Sequence, residues 1–361
     1  MEQLTVALPG REYDILIERG LLDHAGICCE AVLKAGCRIA LVTDSNVGVR
    51  YAGAVGIALE RSGFQVKTIT VPAGEASKGA AMLELLWESF MEFGLTRGDA
   101  VAVLGGGMVG DLAGFAAATI LRGIPLIQIP TTLLAQVDSS VGGKVAIDLK
   151  AGKNLAGAFW QPKLVLIDPD VLESLSDETF ADGMAEVIKY GCIADAAFFN
   201  LLDQCAERRG IMEQIEAIVK ICCSMKAEAV LKDERDTGLR MMLNFGHTLG
   251  HAYEKAYHFA TYTHGQAVAA GMCRVAEIGA RLELTPGDVP AQICRLVQKF
   301  GLPDRIPCPQ EAYRSAIGLD KKGSGSQIQV ILLEKLGRAV AAPMEKERLL
   351  SLIEDVEKEH L

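Results

Sequence analysis

Short apolar runs recur along the first half of the chain, at Leu4–Leu8, Tyr13–Ile17, Arg38–Thr43, Phe64–Val71, Ala100–Leu104, Pro125–Ile129 and Leu164–Ile167. Between them the hydrophobic period becomes helical, as in Ala80–Phe93, where Met82, Leu83, Leu86, Trp87 and Phe90 share one stripe. Alternation of this kind predicts a parallel sheet covered by helices, because parallel neighbours need crossover connections. After Asp168-Pro169 the strand signals nearly vanish. Helical patterns run through Asp177–Cys192, Asp195–Arg208, Met212–Val230, Arg240–Tyr257 and Gly265–Glu283, with weak strand character only near Ile328–Leu333. A boundary is therefore expected near Pro169–Ser176, with an α/β domain over 1–172, a helical domain over 173–361 and a cleft between them.

Composition narrows the class. Half of the 361 residues are hydrophobic and 23% are charged, which excludes disordered and fibrous chains and leaves an enzyme-sized globular protein. Lys+Arg 36 against Asp+Glu 46 gives a net charge of −10, so a nucleic-acid partner is not expected. The longest stretch without Asp, Glu, Lys or Arg, Ala256–Cys273, holds His258, Thr261, Thr263, His264 and Gln266 and is too polar to span a bilayer, so no membrane role is expected. The opening MEQLTVALPGREYD does not resemble a secretory signal, and the ten cysteines form no CxxC pair and lie in aliphatic surroundings. Both features point to the cytoplasm.

Val101–Leu104 runs into Gly105-Gly106-Gly107-Met108-Val109-Gly110-Asp111, a strand, a G-x-G-x-x-G turn and the start of a helix through Ala113–Leu121. Glycines there let the backbone approach a pyrophosphate, and the helix N-terminus offers free N–H groups and partial positive charge. No acidic residue stands about 20 positions downstream to hold a ribose, as an ordinary dinucleotide-binding unit would have. The candidate is Asp44, after the strand Arg38–Thr43. The stretch Pro130–Lys144 clusters Thr131, Thr132, Asp138, glycines and Lys144 after an expected strand end, without helix or strand signals of its own. Such a loop is expected to bind ligand, with Lys153 and Asn154 following closely. The Pro72–Lys78 loop carries Glu75 and Lys78 after another strand.

In the helical half, Glu186 and Lys189 share a helix face among Met184, Val187 and Ile188, which favours burial and raises a metal-ligand or proton-transfer role. His247 and His251 stand one turn apart and His264 follows, three of only six histidines. With a glutamate these are zinc-compatible donors, and spacing alone favours the His247/His251 pair.

Together these segments carry a family resemblance. PAGEASK at 72–78, GGGMVGDLAGFAAA at 105–118, RGIPLIQIPTTLLAQVDSSVGGK at 122–144, GKNLAGAFWQP at 152–162, GMAEVIKYG at 183–191, DERDTGLRMMLNFGHTLGHAYE at 233–254 and DKK at 320–322 occur in one order. In these motifs the chain resembles the 3-dehydroquinate synthases. The resemblance implies an N-terminal α/β, Rossmann-like nucleotide-binding domain and an all-α C-terminal metal-binding domain. It further implies NAD⁺, a divalent metal (zinc or cobalt) and a homodimer. The implied reaction converts 3-deoxy-D-arabino-heptulosonate 7-phosphate to 3-dehydroquinate and phosphate, on the route to aromatic amino acids. In it NAD oxidises a hydroxyl, phosphate is eliminated, the ketone is reduced again, and the opened ring closes by an intramolecular aldol step.

Residue by residue, the resemblance places Asp44, Glu75, Lys78, Gly106, Gly107, Gly110, Asp111, Thr131, Thr132, Asp138, Lys144, Lys153 and Ser174 around NAD. It assigns Lys144, Lys153, Asn154, Lys189, Lys226, Arg240, Asn244, His251 and Lys322 to the substrate, with Arg122 lent by the neighbouring subunit. It gives the metal to Glu186, His247 and His264, against the spacing argument for His251. Three positions depart from the family's usual residues: Ser174 for Thr, Gln266 for Glu, and Asp148 for Asn. A sister sugar-phosphate cyclase and a glycerol dehydrogenase-like enzyme remain alternatives at this stage. The basic set favours a phosphorylated, carboxylated substrate over a simple polyol.

Overall fold

Nine strands build the first part of the chain: β1 (Glu2–Val6), β2 (Tyr13–Ile17), β3 (Arg38–Asp44), β4 (Gln65–Val71), β5 (Ala100–Gly105), β6 (Leu126–Pro130), β7 (Lys144–Leu149), β8 (Gly152–Phe159) and β9 (Leu164–Ile167). Seven of them pair in the order β1-β2-β9-β6-β5-β3-β4, antiparallel between β1 and β2 and parallel elsewhere. The central strands read as unbroken apolar runs because both their faces are covered. Ile39 and Leu41 of β3 join Ala100, Ala102 and Leu104 of β5 in one core cluster, while Ala40, Val42, Val101 and Val103 enter the cluster on the other face. Leu83, Leu86 and Phe90 of helix Ala80–Glu92 and Leu112 and Ala116 of helix Gly107–Thr119 seal that second face. Each fully buried Leu or Phe contributes about 1.5–3 kcal/mol there.

This computed structural model describes residues 1–205, 207–236, 238–319 and 325–359. The chain divides into two units, Met1–Leu175 with Ile215–Leu231 and Ser176–Gln214 with Lys232–Leu361. Helix Ile215–Lys232 thus belongs by its contacts mainly with the sheet-bearing unit. The second unit is helical, with Asp177–Ala194, Ala196–Gln204, His247–Ala256, His264–Arg281, Val289–Lys299, Gln310–Leu319 and Lys346–Lys358 among its helices. It also holds one antiparallel hairpin, β10 (Gln327–Lys335) with β11 (Arg338–Glu345), of which the sequence showed only the apolar centre of the first strand. Among the described residues no helix is long and apolar enough to cross a membrane.

Several local expectations need correcting. The loop expected over Pro130–Lys144 contains a helical turn, because Leu133, Ala135 and Val137 bury their side chains. It leads into the unforeseen hairpin β7–β8, in which Val145 and Ile147 alternate inward at 3% exposure each. The period of two was hidden by the flanking glycines. Strand β1 lies nearer the N-terminus than Leu4–Leu8, and the helix expected over Asp195–Arg208 ends at Gln204. The continuous helix expected over Arg240–Tyr257 breaks instead. A 3₁₀ turn, Leu239–Asn244, stops at Phe245, and the α-helix restarts at His247 after Gly246 with φ +80°. A Cβ on Gly246 would sit 2.5 Å from Met272 Cγ, so this backbone is both left-handed and pressed against the neighbouring helix.

Candidate functional site

In the sheet-bearing unit the topology reverses at β3, with β4 on one side and β5 on the other. Ligands in open α/β sheets bind at the carboxyl ends of strands at such a reversal. Asp44 ends β3 and is 8% exposed; its Oδ1 accepts the N–H groups of Asn46 and Val47 at 2.8 and 3.1 Å. Its Oδ2 would lie 3.3 Å from a Cβ on Gly105, where that Cβ would also meet Val109 Cγ1 at 2.2 Å. Only glycine fits at the end of β5. Helix Gly107–Thr119 then starts at Gly106 with no side chain capping it, which leaves its first N–H groups open to an anion. The Thr131 N–H bonds Gly105 O at 2.9 Å, while the buried Thr131 Oγ1 has no hydrogen-bond partner. Thr132 and Ser139 close over Gly106 and Gly107 at 3.0 and 3.1 Å from where side chains there would begin. An orphaned hydroxyl, an open helix terminus and a strand-end carboxylate fit a dinucleotide phosphate and ribose.

Beside this loop the charges interlock. Lys78 Nζ lies 2.7 Å from Asp111 Oδ2 and 3.8 Å from Glu75, and Lys153 reaches the same Glu75 oxygen at 3.8 Å. Burial pulls the Lys78 ammonium down, but Asp111, with Glu75 and Asp148 beside it, outweighs burial and holds the lysine above its ordinary value. Asp148, one of the family departures, accepts the Asn154 N–H at 2.8 Å and so holds Asn154 at φ +55°. Lys226 reaches Asp138 Oδ2 at 2.8 Å and its carbonyl at 2.6 Å. Ser174 spends its hydroxyl on Val171 O at 2.8 Å, within its own turn. Lys144 opens β7 and is exposed. Arg122, also exposed, stands in a turn where Leu121, Arg122 and Gly123 take φ of 51°, 70° and 106°.

In the helical unit, Glu186 and Lys189 lie one turn apart on helix Asp177–Ala194, 1% and 2% exposed, with the Lys189 ammonium on Glu186 Oε2. Glu186 Oε1 faces His247 Nε2 at 3.5 Å and His264 Nε2 at 3.6 Å and has no hydrogen-bond partner. The three donors lie within 4.8 Å of one another. The other ring nitrogens are engaged: His247 Nδ1 meets Phe245 O at 3.2 Å, and His264 Nδ1 meets Glu254 Oε1 at 3.4 Å. Histidine metal ligands are oriented in this way, and an orphaned buried carboxylate oxygen between two Nε2 atoms fits a divalent cation. Burial alone would raise the Glu186 carboxyl, but Lys189 and the histidines hold it well below the usual carboxylate range. His251 lies outside this trio, exposed, its ring 5.9 Å from that of His247.

Arg240 is 3% exposed, donating from Nη1 to Glu234 O at 3.1 Å, and Asn244 ends the same 3₁₀ turn. Lys322 falls outside the described residues. Gln266 has a structural role: Thr263 and Gln266 form a capping box at the start of helix His264–Arg281, where Gln serves as well as Glu. Sequence reasoning passed over Glu254 and Asp182. Glu254 stands two turns beyond His247 and Asp182 one turn before Glu186, so helical spacing from the metal candidates was the signal available for both.

Comparison with known proteins bears on the whole chain. Residues 68–182 match the family described as 3-dehydroquinate synthase N-terminal, and residues 183–323 match 3-dehydroquinate synthase C-terminal. The 3-dehydroquinate synthase of Clostridium beijerinckii is 46% identical over 340 residues, covering 94% of this chain and 97% of that protein. That of Enterococcus faecalis is 42% identical over 351 residues, covering 96% and 97%. Among solved structures, 2-deoxy-scyllo-inosose synthase complexed with carbaglucose-6-phosphate, NAD⁺ and Co²⁺ matches with a TM-score of 0.87 at 25% identity, covering 98% of this chain and 99% of that one. With both halves matched in order and nearly its full length aligned, the chain belongs to the 3-dehydroquinate synthase family.

Proposed function

We propose that this protein converts 3-deoxy-D-arabino-heptulosonate 7-phosphate to 3-dehydroquinate and phosphate, with NAD⁺ and zinc or cobalt as resident cofactors. The observation that carries the reading is the Glu186, His247 and His264 donor set with a buried ammonium, Lys189, against it. An anionic substrate uses such a charge, and an uncharged polyol does not. Glu186, His247 and His264 would hold the metal; Asp44, Gly106, Gly107, Gly110 and Thr131 would hold the nucleotide, with Glu75, Lys78 and Asp111 setting the charge beside it. When bound, NAD⁺ supplies a hydride acceptor regenerated in each turnover, and the metal polarises a substrate oxygen. Substrate recognition falls to Lys144, Lys153, Asn154 and Lys226 in the sheet-bearing unit and to Lys189, Arg240, Asn244 and His251 in the helical one. Their task is to orient an anion and to stabilise leaving phosphate.

The working unit we infer is a cytoplasmic homodimer. Two consecutive non-glycine residues in the left-handed region, Leu121 and Arg122, cost energy that a plain surface turn would avoid. Hairpin β7–β8 forms a sheet of its own and exposes Leu149, Leu155 and Phe159 at 44%, 44% and 42%. Exposed apolar side chains on such a hairpin fit burial against a second copy of the chain. The catalytic test uses purified protein, NAD⁺, Zn²⁺ and the heptulosonate phosphate. Phosphate release equal to product, with no sustained NADH, is expected. NADH build-up matching turnover would establish a dehydrogenase, and release only from another sugar phosphate a sister cyclase.

A further inference from the structure

The His264 ring is bracketed by two carboxylates. Nε2 faces Glu186 Oε1 at 3.6 Å, and Nδ1 faces Glu254 Oε1 at 3.4 Å. Glu254 is only 6% exposed, on a helix that packs against the one His264 begins, so it is no solvent-screened surface pair. Its chemistry differs from that of Glu186. It stands behind the imidazole, on the side away from the cluster of Nε2 and Oε1 donors, and it is not a member of that cluster. His247 meets the same need with a backbone carbonyl, Phe245 O at 3.2 Å, which no side-chain substitution can remove. His264, as the first residue of its helix, depends on a side chain.

We propose that Glu254 is the positioning carboxylate of the metal centre: it accepts the Nδ1–H of His264, fixes the tautomer with a free Nε2 lone pair, and aims that lone pair at the cation. The assignment rests on reading Glu186, His247 and His264 as metal ligands. A carboxylate in this place also raises the basicity of the ring, which an amide does less. Glu254 is a positioning residue and touches neither cation nor substrate.

The test is the zinc dissociation constant of the full chain, measured by competition with a chromophoric chelator, beside the visible absorption of the Co²⁺-loaded protein. Glu254→Leu should weaken zinc about ten- to a hundredfold. Glu254→Gln, which keeps an acceptor oxygen, should lose less. In both, the cobalt bands should keep the parent's positions and intensities because the donor count is unchanged, whereas His264→Ala, which loses its metal on dialysis and is therefore read at saturating Co²⁺, should alter them. Should Glu254→Leu fail to fold, Glu254→Gln decides the question, since it must still bind zinc measurably more weakly than the parent. Unchanged zinc affinity in either folded variant would overturn the proposal. So would cobalt bands shifted as in His264→Ala, which would make Glu254 a ligand. A parent chain that holds no zinc would overturn the metal reading itself.

Discussion

The Asp182 carboxylate accepts the backbone N–H of Gly265, fastening the first turn of helix His264–Arg281 to the helix that carries Glu186 one turn later. The contact admits no side chain at position 265, where a Cβ would lie 2.1 Å from Asp182 O. The separation of Glu186 from His264 is therefore set by backbone packing as well as by the donors. Asp182→Ala should lower stability by about 1 kcal/mol and weaken zinc binding, while Asp182→Asn, which keeps an acceptor, should retain most of both. Gly265→Ala should cost more than either. Thermal unfolding with chelator competition reads all three, and a Gly265→Ala protein with parental zinc affinity would show that the approach is not needed.

Metal content separates the two histidine assignments. Glu186→Ala and His264→Ala should emerge from dialysis without zinc, because each removes one of three converging donors. His251→Ala should keep roughly one zinc per chain and lose mainly turnover. Elemental analysis decides it, and a zinc-free His251→Ala beside a zinc-loaded His264→Ala would restore the pair suggested by spacing.

The sheet was legible because a strand buried on both faces writes its burial into consecutive residues, as Ala100–Gly105 does, and β2 and β9 appear within their expected limits. The hairpin β7–β8 was not, since glycines at 152 and 157 and half-buried alanines leave little alternation to read. At the site, residue types and family motifs pointed to segments that the fold brings together at Glu186, His247 and His264, whereas helical spacing favoured His247 with His251, whose ring lies outside that trio. Spacing within one helix cannot report that Gly246 and Gly265 let two other helices approach closely enough for His264 and Glu186 to compete as partners. Glu254 and Asp182 do stand at helical spacing from His247 and Glu186, but that spacing does not report the contacts they make across helices, with His264 Nδ1 and with the Gly265 N–H.

The Lys78–Asp111 pair should reveal itself through pH. Lys78 is 5% exposed and its folded ammonium titrates above the ordinary lysine value. Its contribution is therefore complete below the unfolded value of about 10.4 and is lost as pH rises through the higher folded value. Lys78→Met, which strands the Asp111 carboxylate, should cost about 3 kcal/mol near neutrality and weaken NAD⁺ binding. The gap in unfolding free energy between parent and variant should narrow above pH ~10.4. Denaturant titrations at neutral and strongly alkaline pH measure it, and a gap that stays constant would mean that the pair contributes nothing through charge.

Arg122 offers the sharpest test of the dimer. Its exposed side chain leaves a turn whose backbone is held left-handed at Leu121, Arg122 and Gly123, with Leu121 O accepting from Arg97 Nε at 3.1 Å. Within one chain such a turn only presents the guanidinium to solvent. If it serves a neighbour's substrate, Arg122→Ala and Lys189→Ala should each be inactive alone and complement each other when mixed. In the mixed dimer, the site with Lys189 intact borrows Arg122 from the chain that still has it, and the other site lacks both. Equal, freely exchanging chains make half of all dimers mixed, so activity should return to about a quarter of the parental value. Mixed dimers must first be verified with two differently tagged chains. If those dimers are present and remain as inactive as either variant, Arg122 acts within its own chain or not at all.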